Sequence, residues 1–296
     1  MIVRPNQIDN LPPWILIDPL LQNWLLEDIG RGDRSTQSLL VGQVELGKAE
    51  WRVKEEGKIA GLPIAARIFQ ILSKNTSFIT IAAEGQKCSK GETIARLHGE
   101  LDALLMGERV ALNLVMRLSG IASLTSKYKE KIADLPTQLV DTRKTTPGLR
   151  IMEKYASFVG GAINHRMGLD DAVMIKDNHI SAAGSIEKAI ATIRQRIPYP
   201  LTIEVETNTI EEVRAALDNG ADIIMLDNMP IERMSEAVKL IRQSKNNDRV
   251  KIEASGNITL ETIRSVAETG VDYISTSAPI TRSSWLDLSM TLNNKI

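Results

Sequence analysis

Six short apolar runs in the second half of the chain, alternating with helical segments, constrain the fold more than any other feature. They are "QLVDT" (138–142), "AVMIKD" (172–177), "LTIEVET" (201–207), "DIIMLDN" (222–228), "VKIEAS" (250–255) and "VDYIST" (271–276). Each is rich in β-formers and bounded by turn residues, which predicts a strand. Between them, "NTIEEVRAALDNG" opens on an Asn or Thr cap, repeats apolar residues every three or four positions and closes on Gly220. "TLETIRSVAETG" closes in the same way on Gly270. Alternating strand and helix means parallel strands joined by right-handed crossovers, hence a doubly wound sheet or a barrel. Polar residues favour the barrel. They gather at the C-terminal strand ends, at Asp141 and Arg143, Lys176 and Asp177, Glu204 and Glu206, Asp227, Glu253 and Ser255, and Ser275 to Ser277. That rim is where barrel enzymes build their sites. Six strands rather than eight predict a short or incomplete barrel, and no GxGxxG follows any strand, which weakens the dinucleotide-fold alternative.

Residues before about 115 have a different pattern. "WRVKEEGKIAGLPIAARIFQIL" predicts strand, glycine turn and helix, and the segment from Phe78 to Gly120 predicts paired strands leading into a long helix. This describes a smaller α/β domain. "EGQKCSKGETIARLHG" has the glycine turns of a swinging-arm carrier domain, but the lysine such a domain modifies, flanked by methionines or set in Asp-Lys-Ala, is missing nearby. With 36 Lys plus Arg against 37 Asp plus Glu, the chain lacks the cationic surplus that non-specific nucleic-acid binding draws on. No apolar run is long enough to span a bilayer, and "MIVRPNQIDNLPPW" lacks the apolar core of a signal peptide, so a cytoplasmic protein is expected. The single cysteine, Cys88, excludes an internal disulfide and a Cys-pair metal site, and no chemical role is expected for it.

Cations stand where a core residue would not be charged: Arg109, Arg143 with Lys144, His165 with Arg166, and Lys176 with His179. The ordinary reading of a lone loop cation is a solvated charge or a surface salt bridge. That reading is weaker for Arg143 and Lys176, because they follow apolar strands directly and therefore sit at the barrel rim. Cations gathered in one cleft repel one another unless an anion lies among them, and guanidinium forks suit carboxylates and phosphates. The expected ligand is multiply anionic. Glu204, Glu206 and Asp227 would be poor neighbours for it unless a divalent cation intervenes, and carboxylates at strand ends are what Mg²⁺ uses beside a substrate pyrophosphate. A structural ion pair with the cations is the alternative. The three histidines have no zinc-site spacing. Ser255, Gly256, Asn257, Thr276 and Ser277, after the last two strands, could offer backbone N–H groups to a terminal phosphate.

Seven segments in order, "EDIGRGDRST", "GERVALNLVMRLSGIA", "DTRKTTPGLR", "GGAINHRMGLDDAVMIKDNHI", "IEVET", "MLDN" and "IEASGNI", resemble the quinolinate phosphoribosyltransferases over nearly the whole chain. The resemblance implies an incomplete parallel α/β barrel over 115–277 and a smaller α/β sandwich domain over 1–114, joined by the tail 278–296. It implies that quinolinate and phosphoribosyl pyrophosphate, with Mg²⁺, give nicotinate mononucleotide, pyrophosphate and CO₂. It further implies a homodimer with shared active sites, with assembly into hexamers left open. By position, Arg109 matches the arginine that reaches the neighbouring subunit's substrate, while Arg143, His165 and Arg166 match those that grip the two carboxylates of quinolinate. Lys144 and Lys176 match the cationic site, Glu206 and Asp227 the acids near ribose and metal, and Ser255 to Asn257 the phosphate loop. Asn257 and Ser277 depart from the commoner pattern, which has glycines there.

Other readings stay open on sequence alone. A non-decarboxylating phosphoribosyltransferase for nicotinate or another heterocycle would leave part of the cationic cluster unpaired. A metal-associated relative from molybdate operons has the same barrel. A non-catalytic sensor of a phosphorylated metabolite would need the cations but not Glu206 and Asp227.

Overall fold

A computed structural model describes residues 10–40, 45–244 and 249–293. The signal-peptide expectation rests largely on residues 1–9, which lie outside these, as does the end of the tail at 294–296. Contacts divide the chain into two units. Unit 1 takes the chain up to Leu124, Ile151–Gly160 and the chain from Ser283 onward, and unit 2 takes Thr125–Arg150 and Gly161–Arg282.

Unit 1 begins with helices α1 (Trp14–Ile29) and α2 (Arg34–Leu39), followed by strands β1 (Leu46–Val53) and β2 (Gly57–Lys58), helix α3 (Leu62–Leu72), and strands β3 (Ser77–Thr80), β4 (Lys87–Cys88) and β5 (Thr93–Glu100). Helix α4 (Leu101–Glu130) leads out of it, and the unit is completed by α5 (Arg150–Gly160) and, in the tail, β12 (Leu288–Leu292). Its main sheet has the order β12-β1-β5-β3, and every pair is antiparallel. Strand β1 alternates buried and exposed residues, as a sheet with one covered face does. Trp51 on that covered face meets Phe69 and Phe78 edge-on, with ring centroids 6.2 and 5.5 Å away. Cys88 is buried, and burial pushes its thiol up to about 11, which disfavours the reactive thiolate.

The domain boundaries expected at 114/115 and 277/278 differ from the division of contacts at 124/125 and 282/283. The reason is continuity: α4 runs from Leu101 to Glu130 without a break, through both Gly107 and Gly120. Helix α5 is the second difference, since it follows the first barrel strand in sequence yet belongs to unit 1. There Glu153 is fully buried and accepts from Arg117 at 2.7 Å, and the Tyr155 hydroxyl donates to Glu84 at 2.7 Å.

Unit 2 holds β6 (Gln138–Val140), β7 (Val173–Ile175), α6 (Asp177–Ala183), α7 (Ile186–Arg194), β8 (Ile203–Thr207), α8 (Ile210–Asp218), β9 (Ile223–Asp227), α9 (Ile231–Arg242), β10 (Lys251–Ser255), α10 (Ile263–Ala267), β11 (Tyr273–Ser275) and α11 (Ala278–Thr281). All six predicted strands are present, all pairs are parallel, and the sheet order is β6-β11-β10-β9-β8-β7. Chain order is kept around the sheet. β6 and β7 are its two edges, and among the described residues only a bridge from Val140 to Ile163 extends it past β6. This is the incomplete barrel. Helix α8 starts where the sequence placed it, with the Thr209 hydroxyl accepting from the Glu212 N–H at 3.2 Å, and its chain turns out at Gly220 with φ of 80°.

Along the strands, alternate residues divide between two environments. Ile203, Val205, Ile224, Leu226, Ile252, Ala254 and Ile274 are fully buried, and this aliphatic set supplies the hydrophobic stabilisation of the barrel. The residues between them are Glu204 and Glu206, Met225 and Asp227, Glu253 and Ser255, and Ser275. Burying charge in a core is unfavourable unless the groups have work to do or partners to pair with.

Candidate active site

A cleft of about 450 Å³ opens at the C-terminal ends of the barrel strands, and all six strands or the residues just after them contribute to its wall. A flat sheet of this order would hold β6 and β7 far apart, so a shared cleft requires the sheet to curl. Period two selects the lining: Met174 and Lys176, Met225 and Asp227, and Glu253 and Ser255 all face it.

Four cations reach this cleft: Arg143, Lys144, Arg166 and Lys176. Lys176 pairs with Glu206 across adjacent strands. Among the described residues Arg143, Lys144 and Arg166 have no carboxylate within 4.0 Å. Arg166 is fastened by its Nη1, which donates to the Ala172 carbonyl at 2.8 Å. Partial burial, and then the charge of Arg143, hold the Arg166 guanidinium below the usual arginine range, with Glu204 pulling the other way. Arginine remains cationic through such a shift. Two guanidiniums that repel each other in a half-buried cleft are prepared for an anion to join them.

The floor beneath is acidic, and it differs from the sequence expectation. Glu204 does not stand at the rim beside Glu206: it is 2% exposed and lies outside the cleft lining. His165 Nε2 lies 3.1 Å from Glu204 Oε2 and 3.6 Å from Glu253 Oε2. One oxygen of each acid, Oε1, is buried with no hydrogen-bond partner. Burial, and then the charge of Glu204, push the Glu253 carboxyl up to about 7. His165 Nδ1 accepts the backbone N–H of Arg166 at 2.8 Å. Both ring nitrogens are therefore engaged within the protein, which was not expected of a residue assigned to grip substrate. The main chain here is anchored by buried Asp141, which accepts from the His165 N–H at 2.8 Å and from Asn164 Nδ2 at 2.7 Å.

Ligand atoms of His165, Glu204 and Glu253 lie within 4.8 Å of one another, which raises the question of a metal. A ligating Nε2 must be bare. With Nδ1 already accepting, the ring hydrogen is on Nε2, so the triangle is closed by a hydrogen bond and is unsuited to a cation. Glu206 and Asp227 offer hard carboxylate oxygens to the cleft itself. One is paired with Lys176, and the other accepts from Asn228 Nδ2 at 2.8 Å. That donor set fits Mg²⁺ held jointly with a substrate, since Mg²⁺ typically takes one or two carboxylates plus phosphate oxygens.

Loops after β9 and β10 form the remaining wall. Asn257 Nδ2 donates to Asn228 Oδ1 at 3.0 Å, so Asn257, Asn228 and Asp227 form one hydrogen-bonded chain. Asn228 is a site residue that the sequence reading missed; its signal was an Asn directly after a strand that ends in Asp. Gly256 has φ of 94°, and a Cβ there would lie 2.2 Å from Asn228 Oδ1, so both conformation and space require glycine. Asn257 has φ of 50°. Asn enters the left-handed region more readily than most residues with a side chain, so it can occupy a position where the family resemblance leads one to expect glycine. Ser277 has φ of −84° and needs no glycine. Neither Thr276 nor Ser277 lines the cleft; Ser275 does instead. Thr276 is buried, donating to the Ile258 carbonyl at 3.2 Å and accepting from the Ala278 N–H. Arg109 is an exposed residue of α4 in unit 1 and is not among the residues of this cleft. His179 Nδ1 accepts the Lys176 N–H at 3.0 Å, capping α6.

Against known families, residues 33–119 match the N-terminal domain of quinolinate phosphoribosyl transferase and residues 121–291 match its C-terminal domain. The chain belongs to the quinolinate phosphoribosyltransferase family. It is 61% identical over 290 residues, 98% of this chain and 97% of the other, to a Synechocystis protein named "probable nicotinate-nucleotide pyrophosphorylase [carboxylating]". The solved NadC structure from Streptococcus pyogenes has 39% identity and a TM-score of 0.89, covering 95% of this chain and 98% of that one. The nicotinate-nucleotide pyrophosphorylase of Francisella tularensis has 36% identity and the same TM-score, covering 98% and 100%. The family's two-domain organisation thus extends over nearly all of the chain, and the cleft described above lies within its C-terminal domain.

Proposed function

We propose that this quinolinate phosphoribosyltransferase joins quinolinate to phosphoribosyl pyrophosphate with loss of CO₂, forming nicotinate mononucleotide and pyrophosphate for de novo NAD synthesis. One observation carries the reading: three cations, Arg143, Lys144 and Arg166, face a single cleft with no acidic partner among the described residues, and the acids Glu206 and Asp227 line the same cleft. A dicarboxylate and a polyphosphate meet both needs. A monocarboxylate such as nicotinate would leave positive charge in this half-buried cleft unpaired, which weakens its binding.

Arg143 and Arg166 orient the dicarboxylate so that the pyridine nitrogen faces the anomeric carbon. Lys144 and Lys176 screen the charge that develops on the departing pyrophosphate, and fixed charges in a half-buried cleft do this without reorganising. The Gly256 and Asn257 loop presents backbone N–H groups to the 5′-phosphate. As the C–N bond forms, the ring nitrogen becomes cationic and is the electron sink for breaking the adjacent C–CO₂⁻ bond. The freed ring carbon then takes up a proton. Holding and screening suffice, so no strong general base is needed. Glu206 and Asp227 would hold Mg²⁺ with the substrate phosphates, where it supplies charge neutralisation for the leaving group. Arg109, exposed on α4, is proposed to serve the cleft of a second subunit in a homodimer. Among the described residues no helix is long and apolar enough to cross a membrane, and we read the enzyme as cytoplasmic.

The test uses purified protein, phosphoribosyl pyrophosphate, Mg²⁺ and quinolinate labelled at its 2-carboxylate, with nicotinate in a parallel reaction. Equal amounts of labelled CO₂ and nicotinate mononucleotide are expected from quinolinate alone. Product from nicotinate, or none from either substrate, would reject the decarboxylating reading.

A further inference from the structure

The buried acids Glu204 and Glu253 take no part in the reaction above, yet the fold bears the penalty of enclosing both. What they touch is His165. Its Nε2 hydrogen faces Glu204 Oε2 at 3.1 Å, with Glu253 Oε2 at 3.6 Å. Its Nδ1 accepts the N–H of Arg166 at 2.8 Å. An imidazolium would carry a hydrogen on Nδ1 as well, and that hydrogen would point at the Arg166 N–H across 2.8 Å. Two donors cannot share that distance, so the geometry requires a neutral ring with a single hydrogen on Nε2. A neutral ring whose two nitrogens are both taken has nothing left to offer a substrate carboxylate.

We propose that His165 is a neutral positioning residue, pinned between the Glu204 and Glu253 pair and the Arg166 amide, that aims Arg166 at a substrate carboxylate and does not bind that carboxylate itself. Three ties hold the segment. Asp141 takes the His165 N–H, the His165 ring takes the Arg166 N–H, and the Ala172 carbonyl takes Arg166 Nη1 at 2.8 Å. The two acids hold the ring that makes the middle tie. Glu204 and Glu253, from β8 and β10, thus meet the ring, the Arg166 main chain meets its other side, and Asp141, just after β6, holds its backbone. The inference rests on the reading of this cleft as a quinolinate site.

Two measurements test it on the full-length enzyme. In kinetics, His165→Ala should raise KM for quinolinate by about tenfold, the effect of one hydrogen bond to an oriented charged group, with KM for phosphoribosyl pyrophosphate unchanged. His165→Asn keeps an acceptor, Oδ1, where Nδ1 stood, and should stay within about threefold of wild type by the same reckoning. An H165N enzyme as impaired as H165A overturns the inference. The second measurement is nitrogen NMR of histidine-labelled protein. The chain has three histidines, so the spectra of His98→Gln and His179→Gln, both exposed positions, assign the other two rings and leave the third to His165. One protonated and one bare ring nitrogen at neutral pH, unchanged when quinolinate is added, is expected. Two protonated nitrogens overturn the inference even if H165N fails to fold. A wild-type enzyme that releases no labelled CO₂ from quinolinate instead overturns the substrate reading, and the proposed aim of Arg166 falls with it. An active wild type beside a failing H165N overturns this inference alone.

Discussion

Replacing Glu253 by Gln should remove one source of pH dependence from the barrel's stability. The carboxyl is 3% exposed, and its folded-state value is raised from 4.5 to about 7 by burial and by Glu204 beside it. At about 1.4 kcal/mol per pH unit, that displacement is worth ~3 kcal/mol. The sign follows from where the proton is held more tightly. The folded state binds it better than the unfolded chain does, so ionisation opposes folding, and stability falls as pH rises from about 4.5 through about 7. The amide introduced by Glu253→Gln would have no charge to lose. The variant should match or fall slightly below wild type at pH 5 and exceed it at pH 8 by up to ~3 kcal/mol, which for a domain of this size is several degrees in Tm. Tryptophan fluorescence is the wrong probe, because Trp14, Trp24, Trp51 and Trp285 all belong to unit 1. Calorimetry at both pH values, or hydrogen exchange at the β10 amides, reads the barrel. Wild-type and variant stabilities that run parallel from pH 5 to pH 8 would refute the reasoning.

Arg143→Ala and Arg166→Ala should each raise KM for quinolinate by roughly 10- to 100-fold, the range for losing a hydrogen bond to a charged group, and steady-state kinetics with quinolinate varied would detect a smaller effect. Gly256→Ala forces a side chain onto φ of 94° against Asn228, a strain of about 1–2 kcal/mol before the contact is counted, so KM for phosphoribosyl pyrophosphate should rise about tenfold. Chelation should abolish turnover, and Asp227→Asn should raise the Mg²⁺ concentration needed for half-maximal rate; an unchanged metal titration would remove Asp227 from that role. At quinolinate concentrations far below the variants' KM, mixing Arg109→Ala and Arg143→Ala subunits should restore about a quarter of wild-type activity, because half of randomly re-paired dimers hold one intact site of two. No recovery after subunit exchange would dismiss the shared site.

Much of this molecule was legible as sequence because the signals were local. All six barrel strands announced themselves as β-rich runs between turn residues, and Thr209 and Gly220 marked both ends of a helix. The cations Arg143 and Lys176 were identifiable because each stands directly after an apolar strand, where parallel topology places the mouth of a barrel. Local signals do not report distance across the fold. Glu204 and Glu206 look equivalent in "IEVET", yet one is sealed under His165 while the other meets Lys176 in the cleft, since inward-facing residues two apart lie in successive layers. Thr276 and Ser277 looked like phosphate ligands, but Ser275 faces the cleft instead, because which residue of a Ser-Thr-Ser run points inward is decided by pleat and register. The sequence by itself determined the alternation of elements, the rim on which chemistry could be built and the charge of the ligand it awaits. Only the tertiary structure decided the rest: α5 leaves the barrel for unit 1, Asn228 joins the loops after β9 and β10, and the His165 ring is held from both sides. Those depend on groups brought together from strands tens of residues apart, and only the folded chain sets their separations.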